Sequence, residues 1–185
     1  MTWNEIVSFV CIGLSAIIFS ISLQAKTKRK ILVIQLFASI LYFLSYMVVI
    51  SIIPSAIIGA FTAIFELVRI IVFYFIDKSE KFNTKKINLI ASLSFCIVLT
   101  VCTILAWSGW YSLCPLIGAI LVSLALGNKN MVFVKLSYII QSLLIITYLS
   151  FMHLWVNALT QCVVFVFGIV GLFTFLNKKN DGCVK

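Results

Sequence analysis

Seven long apolar runs make up most of this sequence, and basic residues gather in every second gap between them. An apolar run of about 20 residues predicts a transmembrane helix, because a helix satisfies its own backbone hydrogen bonds in lipid. Lys and Arg are retained on the cytoplasmic side during insertion. The pattern therefore predicts seven spans, with the N-terminus outside and the C-terminus in the cytoplasm.

Twelve of the fourteen Lys and Arg residues follow this rule. They are Lys26, Lys28, Arg29, Lys30, Lys78, Lys81, Lys85, Lys86, Lys129, Lys178, Lys179 and Lys185. The intervening gaps at residues 51–55, 108–112 and 153–155 contain no charged side chain, and the N-terminal lead-in contains only Glu5. These uncharged gaps are predicted to lie outside.

The predicted spans are similar in length except for the fifth. They cover residues 3–23, 31–50, 56–76, 87–107, 113–126, 131–152 and 156–176. Pro115 lies near the start of the short fifth span, where a proline either bends a helix or marks its entry. With 63% hydrophobic and 10% charged residues, a chain of 185 residues has too little polar surface for a water-soluble globule.

Several classes of protein are disfavoured by composition. The net charge of +9 does not indicate nucleic-acid binding, because the cations lie at cytoplasmic helix ends beside anionic headgroups. The six cysteines contain no CxxC pair, so we expect free thiols packed as small apolar residues. Common catalytic motifs and carboxylate clusters are also missing. We expect no metal and no cofactor.

An internal repeat is visible when the second and third spans are aligned with the sixth and seventh at a shift of 102 residues. Ser45-Tyr46 then meets Thr147-Tyr148. This predicts an all-α membrane protein built as a 3+1+3 parallel repeat. Residues 1–76 would form the first three-helix bundle, residues 77–107 a basic inner loop and linker helix, and residues 108–185 the second bundle with a short basic tail.

The Pro115-x-Ile117-Gly118-x-Ile120 segment, the following Ala125-Leu126 and the basic loop after the first span carry a family resemblance. The chain resembles the YgjV-type bacterial inner membrane proteins, within a wider group that includes SWEET sugar facilitators, PQ-loop proteins and nicotinamide riboside transporters. The resemblance implies a multi-pass protein of the bacterial cytoplasmic membrane and a transport role, without naming a substrate. The sequence has no Pro-Gln pair and no first-span proline opposite Pro115, which argues against a PQ-type hinge in both halves.

Glu66 and Arg69 are the strongest local signal, because each would cost about 2.5 to 3.5 kcal/mol if it faced lipid at the bilayer centre. Their spacing of three places them on one helix face. Either they form a structural ion pair or they take part in substrate or proton passage. In the repeat they align with Gly168 and Gly171, which either leave room beside the pair or mark a close helix contact. Lys135 is expected to reach the cytoplasmic headgroups.

Neutral polar residues form stripes on three other spans, and the stripe of the second span repeats at steps of four, three and four. Together with Glu66 and Arg69, the candidate solute-binding residues are Gln35, Ser39, Tyr42, Tyr46, Gln141, Tyr148, Asn157 and Gln161. Amides, hydroxyls and aromatic faces suit a polar, uncharged solute. By resemblance to SWEET-like proteins, Asn157 or Gln161 would contact a sugar. The alternative for each residue is a hydrogen bond between helices.

We therefore expect a transporter or facilitator of a small polar solute, sugar-like or nucleoside-like, in which two three-helix bundles alternate access to a central site. We expect the chain to lie in the lipid bilayer. The sequence is also compatible with a homo-oligomer. A non-transporting receptor or complex subunit is the main alternative. A membrane-embedded cysteine enzyme using His153 with Cys162 or Cys114 is a minor one, and we expect no enzyme.

Overall fold

The long apolar runs fold into helices. A computed structural model describes residues 3–49, 56–79, 84–105, 107, 109–128, 130–153 and 155–180, which form seven α-helices and one short 3-10 helix, with no strand. The helices are α1 (Trp3–Gln24), α2 (Lys28–Val49), α3 (Ala56–Lys78), α4 (Lys85–Leu105), α5 (Leu113–Leu126), α6 (Met131–Phe151) and α7 (Trp155–Asn180). The 3-10 helix Trp110–Ser112 leads directly into α5. The all-helical prediction is confirmed.

Five of the described helices, α1, α2, α4, α6 and α7, are long and apolar enough to cross a membrane. Helix α5 has 14 residues, and Pro115 is its third, in the first turn where a missing N–H breaks no helical hydrogen bond. Pro115 thus marks the entry of this helix. These helices indicate a multi-pass membrane protein. Seven crossings arranged as a 3+1+3 repeat remain a prediction.

Some features used for the orientation lie outside the described residues. They are the gap at residues 51–55, Ser108, Lys81, Lys129, Lys185 and the side chains of Glu5, Lys178 and Lys179.

Helices that follow one another in sequence pack side by side, and α7 closes the arrangement by packing on α1. Neighbouring helices run in opposite directions, as shown by contacts between the start of one helix and the end of the next. Arg29 at the start of α2 pairs with Asp77 at the end of α3, with 3.0 Å between Nε and Oδ2. We call this end, which contains the C-termini of α1, α3, α5 and α7, the basic end.

The interior near the basic end is a packed apolar core. It is built from α1, α2, α3, α5, α6 and α7, and its fully buried members are Leu23, Ile31, Leu32, Ile70, Phe73, Val122, Ala125, Leu126, Val134, Tyr138 and Val164. All except Val164 lie in the half of their helix nearer this end. The core therefore closes the space between the helices at the basic end.

Gly168 and Gly171 lie where α7 packs against α1 and α6. A Cβ atom at Gly171 would lie 2.5 Å from the carbonyl oxygen of Leu23, and one at Gly168 would lie 3.0 Å from Cγ1 of Ile139. The suggestion that these glycines leave room beside the charged pair is wrong. They allow a close helix contact, because small residues let two backbones approach.

Gly171→Ala is expected to lower the thermal stability of the protein, because the new methyl group would displace the backbone of α1. Overpacking of this kind costs about 1 to 3 kcal/mol. The matched control is Gly13→Ala in α1, where a Cβ atom meets nothing within 4 Å. That variant should be neutral or slightly more stable, since alanine favours a helix. Thermal unfolding of both variants in detergent tests this, and equal melting temperatures would contradict it.

Candidate functional site

The polar stripe of α2 faces the interior of the helix bundle. Gln35 and Ser39 are buried, and Tyr42 and Tyr46 are half-buried. The exposed apolar side chains of α2 lie on the opposite side of this helix, and they are Val33, Phe37, Ile40, Leu44 and Met47. The apolar face is suited to lipid, and the polar face is turned towards the other helices.

The candidates on α6 and α7 also lie on interior faces. Gln141 lies one turn from the buried Tyr138, and Gln161 lies three residues from the buried Val164. Asn157, Gln161, Gln141 and Tyr148 are all half-buried, whereas Leu159 on the far side of α7 is 68% exposed. Their half-buried positions are compatible with the helical register of the sequence, and a role in binding stays a prediction.

Arg69 is completely buried and bridges α3 to α5. Its Nη2 atom donates to both carboxylate oxygens of Glu66 at 2.5 Å. Its Nη1 atom donates to the carbonyl oxygen of Ala119 and to Oγ of Ser123, each at 3.3 Å. The Arg69 Nε atom is buried and has no hydrogen-bond partner among the described residues. The pair faces protein rather than lipid, as its cost in hydrocarbon requires.

Glu66 keeps 26% of its side chain exposed even though it lies on the interior face of α3. It shares that face with Arg69 and with Phe73, which are three and seven residues further along the helix. The lipid-facing side of α3 carries the exposed Val68 and Phe75. Glu66 is therefore on the face of α3 that Arg69 uses to reach α5.

A second buried polar contact joins α2 to α6 at a similar depth. The hydroxyl of Tyr138 donates to Oε1 of Gln35 at 2.7 Å, and the ring of Phe19 packs edge-on against Tyr138 with 5.5 Å between centroids. Tyr138 also lies near Glu66 and Arg69. The Gln35 Nε2 atom is buried without a partner among the described residues. The two polar contacts therefore lie at a similar depth in the bundle.

Aromatic residues gather at the end opposite the basic end. The hydroxyl of Tyr46 donates to that of Tyr42 at 2.9 Å, and Tyr148 lies near Tyr46. The ring centroid of Tyr111 lies 6.0 Å from that of Tyr148. Gly109 positions Tyr111, because its φ of 149° suits glycine and a Cβ atom there would lie 2.7 Å from Cε1 of Tyr111.

The remaining candidates do not join these contacts. Gln141 packs against Gly118, where an added Cβ atom would lie 3.0 Å from Cγ of Gln141. In the part of the chain that the structure describes, the side chains of Asn157, Gln161 and Ser39 make no hydrogen bond. The ten candidates thus do not form a single hydrogen-bonded cluster among the described residues.

Several candidate residues nearer the opposite end are more exposed than the deeper polar residues, although Ser8, Ser45 and Ser112 at that end are buried. Tyr42, Tyr46, Glu66, Gln141, Tyr148, Asn157 and Gln161 are half-buried, and we call the space between them the vestibule. Gln35, Arg69 and Tyr138 lie deeper and are at most 1% exposed. The vestibule residues therefore lie towards the opposite end, and the apolar core occupies the basic end beneath them.

Two lysines make matching contacts below the vestibule. Lys28 on α2 donates to the carbonyl oxygen of Leu126, the last residue of α5, and lies 5.6 Å above the ring of Phe73. Lys135 on α6 donates to the carbonyl oxygen of Leu23 near the end of α1, and lies 5.4 Å from the ring of Phe175. Phe73 and Phe175 are 102 residues apart, the repeat shift found in the sequence.

The prediction that Lys135 reaches the headgroups is wrong. Its side chain is 1% exposed and also lies 3.4 Å from the carbonyl oxygen of Gly171. The reason is that α1 ends beside it and offers the carbonyl oxygen of Leu23, which has no partner within that helix. A cation at a helix C-terminus is favourable, so the ammonium group is satisfied inside the protein.

The described structure does not bring together the residues that a membrane-embedded cysteine enzyme would use. His153 lies on an exposed turn with its ring 6.1 Å from that of Trp155, and Cys162 is exposed on α7. No contact between the histidine and a cysteine is described. Among the described residues there is also no group of three or more His, Cys, Asp or Glu that could hold a metal ion.

Comparison with protein-family models, with curated proteins and with solved structures gives no match for this chain.

Proposed function

We propose that the protein carries a small polar solute across the bacterial inner membrane by alternating access. The observation that carries this proposal is the distribution of the candidate polar side chains along the interior. Half-buried polar side chains from α2, α3, α6 and α7 lie towards one end, while an apolar core fills the other. In our proposal the core end is the closed side of one of the two states that alternating access requires.

The chemistry of the vestibule favours a polar, uncharged solute of the sugar or nucleoside kind. Tyr42, Tyr46, Tyr148, Asn157 and Gln161 supply hydroxyls, amides and aromatic faces. These groups donate, accept and stack without demanding a charge on the solute. Glu66 and Arg69 neutralise each other by direct pairing, which leaves the polar lining without a net charge from this pair.

The lysine contacts support a two-bundle mechanism with seven spans. Lys28 belongs to the first proposed bundle and binds the end of α5 in the second, while Lys135 belongs to the second and binds the end of α1 in the first. The two contacts are reciprocal. Opening the basic end would separate the bundles and break both, so these contacts belong to the closed gate. We assign the basic end to the cytoplasm, in line with the positive-inside rule.

A cysteine at Gln161 tests whether the vestibule holds water and lies on the transport route. In a background without the native cysteines, Gln161→Cys should react with a membrane-impermeant maleimide, because thiol alkylation needs water. Leu159→Cys is the matched control, since it lies about 3 Å away along the same helix but faces lipid. Its reaction should be slow.

Both variants are then assayed in proteoliposomes for uptake of radiolabelled glucose and uridine. Maleimide should block uptake by the Gln161→Cys protein and leave the Leu159→Cys protein active. A Gln161→Cys thiol that reacts only after denaturation would show a dry interior and overturn the proposal. A reactive thiol in a folded protein without flux of either solute would favour a receptor.

A further inference from the structure

A continuous groove runs along the outer surface between α2 and α3. Its middle part, of about 390 Å³, is lined by apolar residues that include Leu36, Phe37 and Ile71. Its part near the basic end, of about 240 Å³, is lined by Arg29 and Lys30. Val33 and Tyr74 line both parts, so the two join into one groove. The groove is apolar along its length and cationic at its end.

The groove lies on the lipid-facing side of the helix pair. Phe37 is 59% exposed and Phe75 is 61% exposed, and both belong to the outward faces of their helices. Hydrocarbon chains of the bilayer are therefore the molecules that meet this surface. The groove gives such a chain two helix walls instead of one, which increases the number of van der Waals contacts it makes.

The cationic end of the groove is partly prearranged. Arg29 donates from Nε to Oδ2 of Asp77 at 3.0 Å and from Nη2 to the carbonyl oxygen of Asp77 at 2.6 Å, which holds the guanidinium in place. Lys30 is exposed and makes no ion pair among the described residues. Lys78, in the last turn of α3, adds a further positive charge at this end.

We propose that this groove binds an anionic phospholipid, with an acyl chain along α2 and α3 and the phosphate on Arg29 and Lys30. Charge complementarity selects the occupant, because basic sites between transmembrane helices recognise anionic headgroups. The apolar part of the groove excludes a free phosphate ion as its natural ligand. The site lies outside the vestibule, so it does not depend on a transported solute.

Native mass spectrometry of the full chain in micelles containing equal amounts of phosphatidylglycerol and phosphatidylcholine tests the site. The wild-type protein should retain phosphatidylglycerol preferentially. Lys30→Gln should lower its retention about fivefold, the factor for one surface cation near anionic lipid. Val33→Trp should lower it as well, because the indole fills the groove while leaving every cation in place.

Lys86→Gln is the matched control, since Lys86 is an exposed cation near the start of α4, away from the groove. It should retain phosphatidylglycerol as the wild type does. The proposal is overturned if Lys30→Gln and Lys86→Gln lose the lipid equally, because the attraction would then be general. Equal retention of phosphatidylcholine would also overturn it, as would a dimer that forms in place of lipid adducts.

Discussion

Replacing both Lys28 and Lys135 with methionine is expected to open the basic end of the bundle. Each ammonium group donates to a carbonyl oxygen at the end of a helix in the other proposed bundle. A hydrogen bond to a charged group contributes about 1.5 to 3 kcal/mol, so each substitution should shift the opening equilibrium at least tenfold. If the two contributions add, the double variant should shift it about a hundredfold.

The measurement is alkylation of a cysteine at Ile31, which is completely buried in the core at that end. The reaction rate in inside-out vesicles should rise in each lysine variant and most in the double variant. Lys26→Met, which removes an exposed cation at the same end, should leave the rate unchanged. A single symmetric peak on size exclusion shows that the faster reaction does not come from unfolding. If the double variant reacts no faster than the wild type, the lysine contacts are not a gate.

Glu66→Gln is expected to destabilise the protein more than Arg69→Met does. Removing one partner of a buried ion pair costs about 3 to 5 kcal/mol, because the other charge is left without compensation. A carboxylate left alone can bind a proton and become neutral, and the Glu66 side chain is 26% exposed. A guanidinium cannot lose its charge, and Arg69 is fully buried.

The double variant Glu66→Gln with Arg69→Met is the control that separates charge from packing. It should recover most of the stability lost in Glu66→Gln, since no unpaired charge remains. Thermal unfolding in detergent measures all three proteins. A Glu66→Gln protein as stable as the wild type would mean that Ser123, Ala119 or water satisfies the arginine on its own. Solute uptake by the double variant then decides between a structural ion pair and a role in passage.

The polar faces of the helices were predictable because they follow from helical period alone. Gln35, Ser39, Tyr42 and Tyr46 recur every three or four residues, which places them on one side of any regular helix. Their partners were not predictable. Tyr138 bonds to Gln35 and Ser123 bonds to Arg69, yet neither was among the candidates. The one local sign for Tyr138 was its position on the same face as Lys135, three residues away.

The sequence by itself determined that the chain is helical and rich in membrane-crossing segments, and which polar residues share one face of a helix. These properties depend on the length of apolar runs and on the spacing of residues, which are local. Only the tertiary structure decided that Lys135 is buried, that Gly168 and Gly171 make a close contact, and that the interior is closed at the basic end. Those outcomes depend on which helix ends meet and how the helices are rotated against each other, which no single segment contains.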